Sequence, residues 1–96
     1  MIRSVVLVKF KPDARPEQLA EVERSLKAIR FEGCTRWEMA RDLGLREGNA
    51  SHAFVAEFDD EAAYRAYDSH AEHNRIRREL LAPIVEKVER FQYEVS

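Results

Sequence analysis

The chain has 96 residues, of which 45% are hydrophobic, and its 16 basic and 18 acidic side chains give a net charge of −2. This balance provides no positive field that would attract nucleic acid or anionic lipid, so neither is an expected partner. No apolar run approaches the roughly 18 residues that a membrane span needs. A single domain over residues 1–96 is therefore predicted, and because a core of this size is modest, association is favoured.

The single cysteine, Cys34, cannot form a disulfide within the chain. One thiol is common in proteins of a reducing compartment, and a packed thiol is a simpler explanation than a nucleophile. The opening Met1-Ile2-Arg3-Ser4 leads into a strand pattern rather than a signal peptide. These features together predict a cytoplasmic location.

The first half of the chain predicts a strand, a helix and a second strand. Ile2–Lys11 is rich in β-branched residues and has apolar side chains on both faces, so a strand covered on both sides is expected. Pro16–Arg30 has apolar residues at spacings of three and four, which predicts an amphipathic helix. Gly33 breaks this period, and Cys34–Arg41 then alternates like a strand.

The middle of the chain predicts a loop, a third strand and a short helix. Asp42–Ser51 contains glycines and no hydrophobic period, which is typical of a loop. His52–Phe58 alternates again, and Asp60 is a suitable N-cap for a helix from Glu61 to about Tyr67.

The end of the chain predicts a further helix and a last strand. Apolar residues toward the end of about Glu72–Leu81 indicate a helix that Pro83 should end or bend. Val88–Val95 then alternates as a strand. The order βαββαβ is that of an α+β, ferredoxin-like fold with a four-stranded antiparallel sheet and its helices on one side.

The predicted strands carry more apolar area than two helices can cover. The residues concerned are Ile2, Val6, Val8, Phe10, Trp37, Phe54, Phe58, Phe91 and Tyr93. A bare apolar sheet face of this size would associate. We therefore expect an isologous homodimer through sheet faces, in which two four-stranded sheets form a dimeric α/β barrel.

The densest polar cluster is residues 67–74, between the two predicted helical pieces. It contains two of the three histidines, His70 and His73, at a spacing that places both on one face of a helix. Two imidazoles do not complete a zinc site, which needs three or four ligands, so no metal is predicted. No cofactor is predicted either. Capping of helix ends is an equally simple role for both histidines.

Five segments spread over nearly the whole chain carry a family resemblance. They are Ile2-Arg3-x-Val5-Val6-Leu7-x-Lys9-Phe10-Lys11, His52-x-Phe54, Phe58-Asp59-Asp60, Tyr67-x-x-His70-x-x-His73 and Tyr93-Glu94-Val95. In this order and spacing they resemble the stress-responsive A/B barrel (Dabb) family. The resemblance implies a dimeric α+β barrel with a cavity between each sheet and its helices or inside the barrel.

The family includes stress-induced plant proteins, uncharacterised bacterial proteins and a plant polyketide cyclase that closes a linear poly-β-ketone by aldol condensation. The cyclase pattern has a histidine on strand one, a tyrosine and a second histidine, and the matching positions here are Ser4, Tyr67 and His73. The resemblance thus implies His73 as the base and Tyr67 as the hydrogen-bond donor. Ser4 is no base at neutral pH, and Ala71 stands where typical members have proline.

Three functions stay open at this point. The first is binding of a small, mostly apolar keto- or phenol-like ligand. The expected ligand-binding residues, beside Tyr67 and His73, are Ser4, Val6, Val8, Trp37, His52, Phe54 and His70. The second is cyclase-like aldol closure by Tyr67 and His73, and the third is a non-catalytic stress or scaffold protein. Haem-degrading and quinone-forming monooxygenases share the barrel, which is an analogy of fold alone.

Overall fold

A computed structural model describes all residues, 1–96. The strands are β1 (Ile2–Phe10), β2 (Cys34–Arg41), β3 (His52–Phe58) and β4 (Val85–Glu94), and the helices are α1 (Pro16–Lys27), α2 (Glu61–Asp68) and α3 (Ala71–Ile76). A π-helical turn over Arg77–Leu81 and a 3-10 turn over Ala82–Ile84 connect α3 to β4. The α+β class and the βαββαβ order are as predicted. None of the helices combines the length and the apolar character that crossing a membrane requires.

The four strands form one antiparallel sheet in the order β2-β3-β1-β4. The helices cover one face, which we call the inner face, and the opposite face is the outer face. Ser4, Val8 and Phe10 of β1 are buried on the inner face, whereas Leu7 is 42% exposed on the outer face. Because β1 pairs on both sides, its alternation fixes which residues of β3 and β4 share each face.

A core cluster joins the inner face of the sheet to the helices. Its seven buried residues come from two strands, two helices and the 3-10 turn: Val8, Phe10, Val22, Leu26, Phe54, Ile76 and Ile84. Trp37 and Met39 of β2 are partly buried and pack against it. The amphipathic pattern of α1 is thereby explained, because Val22 and Leu26 are its buried residues.

The nine apolar residues expected to exceed the cover of the helices divide between the two faces. Seven of them lie on the inner face, in register with buried partners such as Phe58 and Ala56. Phe91 pairs with Val5 and Tyr93 with Arg3, so both lie on the outer face. The prediction that treated all nine as one excess of apolar area was therefore wrong. Successive residues of a strand point to opposite faces, so Phe91 and Tyr93 lie on the opposite face from the other seven residues.

The end of the first helix and the start of the last strand each differ from the sequence prediction by three residues. Helix α1 ends at Lys27 rather than Arg30, because a hydrogen bond from the backbone N–H of Ile29 to the carbonyl oxygen of Leu26 tightens its last turn. Strand β4 begins at Val85, three residues before the predicted start. Pro83 cannot continue an α-helix, so the helical run passes through π and 3-10 turns and ends there.

The predicted cap at Asp60 is present, and a close contact beside it positions α2. The Asp60 carboxylate accepts a hydrogen bond of 2.9 Å from the backbone N–H of Ala63. Gly33, in the turn before β2, has φ of +80°, and a Cβ added there would lie 2.6 Å from the Ala63 Cβ. Helix α2 therefore approaches the sheet closely only because residue 33 has no side chain.

We predict that Gly33→Ala destabilises the protein more than Gly48→Ala does. Gly48 has φ of +83° and open space around the missing Cβ, so alanine there meets backbone strain alone, about 1–2 kcal/mol. Alanine at Gly33 adds the clash with Ala63, which we expect to cost about 1–3 kcal/mol more. Urea unfolding at one fixed protein concentration measures both values. Equal losses in the two variants would contradict the close approach of α2.

Candidate functional site

A half-open cavity of about 310 Å³ lies between the inner face and the segment from α2 to the π turn. Its lining is largely apolar and includes Val6, Val8, Phe54, Leu81 and Val85. The helices cover the inner side of β1 and β3 better than that of β4. Phe54 is only 6% exposed, for example, whereas Val88 on β4 is 37% exposed. The cavity is consequently enclosed toward β3 and open toward β4.

His73 is the buried titratable group of this cavity, with 3% of its surface exposed. Its Nδ1 lies 3.0 Å from the backbone carbonyl oxygen of Tyr67. A carbonyl can only accept, so Nδ1 carries the proton and Nε2 is left as an acceptor with no hydrogen bond to the protein. Burial lowers the pKa of His73 to about 4, against a smaller opposing effect of that hydrogen bond. The imidazole is therefore neutral at pH 7.

Tyr67 stacks on His73 in the same cavity. The two ring centroids are 4.1 Å apart, and the ring of Phe58 lies 4.8 Å from that of Tyr67 on the sheet side. Burial raises the pKa of Tyr67 to about 12, while the nearby indole N–H of Trp37 acts in the opposite direction. Tyr67 is therefore a neutral hydroxyl donor at pH 7, not a phenolate.

The break between α2 and α3 holds these two rings together. His70 is the N-cap of α3, and its Nδ1 accepts a hydrogen bond of 3.4 Å from the backbone N–H of His73. Phe31 contacts the rings of Tyr67, His70 and His73 edge-on, at centroid distances of 4.7, 5.2 and 5.5 Å. Local capping and one aromatic residue from the turn before β2 thus fix the orientation of the site.

Ser4 supplies a polar group in the floor of the cavity. It is 4% exposed, and its hydroxyl accepts a hydrogen bond of 3.2 Å from the side-chain amide of Gln92 on β4. Both residues line the cavity. The hydroxyl retains its own proton as a donor, so a ligand oxygen can accept from it.

Six of the nine predicted site residues line this cavity: Ser4, Val6, Val8, Phe54, Tyr67 and His73. Trp37, His52 and His70 do not. The indole nitrogen of Trp37 is buried without a hydrogen bond, although it lies near the Tyr67 hydroxyl. His70 acts as the helix cap described above, and no group of three or more His, Cys, Asp or Glu side chains converges anywhere in the chain.

His52 lies at the other end of β3, opposite Val8. Its ring meets Phe10 edge-on at 5.0 Å, and its Nδ1 is buried without a partner. Burial, and then the charge of Arg41, lowers the pKa of His52. It contributes to a separate surface depression between α1 and the 42–51 loop, away from Tyr67 and His73.

The sequence prediction missed several residues that build the cavity: Phe31, Tyr64, Arg77, Arg90 and Gln92. In the sequence, Arg75, Arg77 and Arg78 alternate with Glu72 and Glu79, a pattern typical of a solvated helix face. In the structure Arg77 contacts the Asp68 carboxylate at 3.3 Å and the side chain of Asn74, at the mouth of the cavity. Arg90 and Gln92 could have been found from the alternation of β4 once its pairing with β1 was assumed.

The model of the stress responsive A/B barrel domain matches residues 2–95. A Dabb family protein from Mesorhizobium loti is 29% identical, with a TM-score of 0.80, over 99% of this chain and 96% of that one. A dimeric ferredoxin-like protein of unknown function from Thermobifida fusca is 28% identical, with a TM-score of 0.84, over 98% of this chain and 90% of that one.

A more distant structure with the same fold is a hydroxynitrile lyase from Passiflora edulis. It is 18% identical, with a TM-score of 0.85, over 99% of this chain and 93% of that one. At this identity the likeness concerns the fold alone. No curated protein sequence matches the chain.

We predict that His73 makes the protein less stable as the pH falls from 6.5 to 4. Between these values the unfolded chain, with a histidine pKa near 6.5, binds a proton that the folded chain, with a pKa of about 4, does not. The resulting loss of free energy of unfolding is zero above this pH range, is complete near pH 4 and amounts to about 3 kcal/mol at most.

The measurement is urea unfolding of the unmodified chain and of His73→Gln over a pH series. Other titrating groups affect both proteins, so the difference between their free energies of unfolding isolates His73. As the pH is lowered from 6.5 to 4, the free energy of unfolding of the variant should rise relative to that of the unmodified chain. A difference that is constant with pH would show that His73 is not held neutral by burial.

Proposed function

Since the chain belongs to the stress-responsive A/B barrel (Dabb) family, we propose that it is a homodimer whose subunits each bind a small, mostly apolar keto- or phenol-like molecule between sheet and helices. The observation that carries this proposal is the neutral, buried His73, whose Nε2 has no partner in an apolar cavity. An imidazole nitrogen that has no partner in the protein is free to accept a hydrogen bond from a ligand donor.

The size and polarity of the cavity support a ligand of this class. Its volume of about 310 Å³ is at the lower end of the roughly 300–1,000 Å³ typical of ligand sites. A phenolic hydroxyl can donate to His73 Nε2, and a keto oxygen can accept from Ser4 or Tyr67. A purely structural dimer would have no use for a cavity that combines an apolar lining with these three groups.

The outer face of the sheet supports the homodimer. Its centre is apolar and exposed in the single chain, with Leu7 at 42% and Phe91 at 63%. At one end Arg3 forms an ion pair of 2.6 Å with Glu57. An apolar centre with polar ends is the usual composition of a self-complementary interface. The Thermobifida fusca structure is itself described as a dimer.

A second candidate function is cyclase-like aldol chemistry. His73 Nε2 would remove a proton from a carbon next to a carbonyl, and Tyr67 would donate to the developing oxyanion. The observation that favours it is the presence of a neutral imidazole and a neutral phenol in one cavity. A base with a pKa of about 4 is weak at pH 7, however, and Ser4 adds none. Ligand binding is therefore the first candidate.

We predict that the chain binds 4-propylphenol more tightly than 4-propylanisole. Only the phenol can donate a hydrogen bond to His73 Nε2, and one such buried bond favours it by up to about tenfold. Isothermal titration calorimetry measures both affinities. His73→Phe should remove the preference, while Leu43→Ala, at a loop residue that is 84% exposed, should retain it.

The comparison of the two ligands on the unmodified chain stands even if His73→Phe folds poorly, which circular dichroism would reveal. Equal affinities for phenol and anisole would remove His73 from the proposed role. Absence of binding by either compound would argue against a site for small phenolic ligands.

We predict that Leu7→Glu converts the protein from a dimer to a monomer. A carboxylate at the centre of the outer face would have to be buried without a partner in the interface. Sedimentation equilibrium at micromolar concentration should give twice the chain mass of 11.2 kDa for the unmodified chain and the single mass for the variant. Leu43→Glu should remain dimeric. A monomeric unmodified chain would overturn the homodimer.

A further inference from the structure

The open side of the cavity carries one positive charge that no acidic side chain compensates. Five charged residues line this side: Asp68, Arg77, Glu86, Lys87 and Arg90. Four of them are paired, since Arg77 contacts Asp68 at 3.3 Å, Glu86 contacts Lys9 at 3.4 Å and Lys87 contacts Glu89 at 3.2 Å. Arg90 has no acidic oxygen within 4.0 Å of its guanidinium nitrogens.

Arg90 belongs to the inner side of β4. It pairs with Val6 across the β1·β4 ladder, so both side chains lie on the face that the helices cover. The next inner residue along β4 is Gln92, which binds the buried Ser4. Burial raises the pKa of Tyr64, and the charges of Arg77 and Arg90 act in the opposite direction, as expected if both guanidinium groups are near that hydroxyl. The chain therefore places Arg90 over the cavity mouth.

We propose that Arg90 is the anion-recognition residue of this cavity and that the ligand is an amphipathic monocarboxylate. Its neutral keto or phenolic end lies against His73 and Tyr67, and its carboxylate lies at the β4 edge. This inference rests on the proposed function and names the chemical class of the ligand. A guanidinium group presents paired N–H donors that match the two oxygens of a carboxylate.

The charges around the mouth favour a single negative charge over a phosphate dianion. The paired residues contribute no net charge, so Arg90 alone offers one positive charge. Asp68 and Glu86 line the same opening and would repel a second negative charge. Near His73 the charge of Arg77 is already compensated by Asp68, so the carboxylate belongs at the open end beside Arg90, where its other oxygen lone pairs remain hydrated.

The test compares 3-(4-hydroxyphenyl)propionate with its primary amide by isothermal titration calorimetry at pH 7.5 and low salt. The two probes share the phenol and the chain length and differ in charge. The unmodified chain should bind the propionate about tenfold more tightly than the amide, because only the propionate can form a charge-assisted hydrogen bond with Arg90. Arg90→Gln should bring the propionate to the affinity of the amide and leave the amide unchanged.

Arg78→Gln is the matched control, because Arg78 is also an exposed arginine without an ion pair but does not line the cavity. It should keep the tenfold preference. Raising the salt concentration should weaken binding of the propionate but not of the amide, because salt screens the attraction between the partly exposed charges of Arg90 and the carboxylate.

The outcomes separate this inference from the proposed function. If both probes bind equally to the unmodified chain, Arg90 does not recognise an anion, but the ligand site stands. A preference that survives in Arg90→Gln would also overturn the role of Arg90. If neither probe binds, the ligand site itself fails. If Arg78→Gln loses the preference for the propionate as fully as Arg90→Gln does, only the overall charge of the chain is involved.

Discussion

The alternation of side chains along β1 is the constraint on which the rest of the structure depends. This strand pairs with β3 on one side and β4 on the other, so its register determines which residues of β3, β1 and β4 lie on the inner or the outer face. A slip of one residue would exchange Val6 and Val8 for Val5 and Leu7 and move the cavity floor to the outer face. The proposed ligand site and the proposed dimer interface are therefore two faces of one strand.

The uneven cover of the inner face produces a gradient of polarity within the cavity. The helices bury the end at His73, where burial holds the imidazole neutral, and leave the β4 edge in contact with water. The charged lining residues, such as Arg77 and Arg90, are on that open side, where hydration limits the cost of a charge. A molecule with one apolar, hydrogen-bonding end and one charged end would match this gradient without burying an unpaired charge.

Local patterns predicted the elements well because each is determined by neighbours in the sequence. The apolar spacing of α1, the cap at Asp60 and the alternation of β3 all correspond to the structure. Residues that meet through tertiary packing were harder to predict. Trp37 and His52 lie on strands that share the inner face, but the helices divide that face, so the cavity includes neither.

The missed residues have equally physical reasons. Phe31 lies in a turn with no hydrophobic period, and nothing in its local sequence indicates contact with three aromatic rings of the α2–α3 break. Arg77 begins a π turn, which the regular spacing of an α-helix does not anticipate. Its contact with Asp68 spans the break between α2 and α3 and follows from the fold, not from the helix period.

The burial of His73 links its two possible roles and makes them compete. Burial keeps the imidazole neutral, and its Nε2 is an acceptor without a partner in the protein, which favours a ligand donor. The same burial lowers its basicity, so the acceptor site is also a poorer base for abstracting a proton from carbon. A second imidazole on β1 could offset this, but Ser4 is there and already accepts from Gln92. The geometry that binds the neutral end of a ligand at His73 is thus the geometry that limits catalysis.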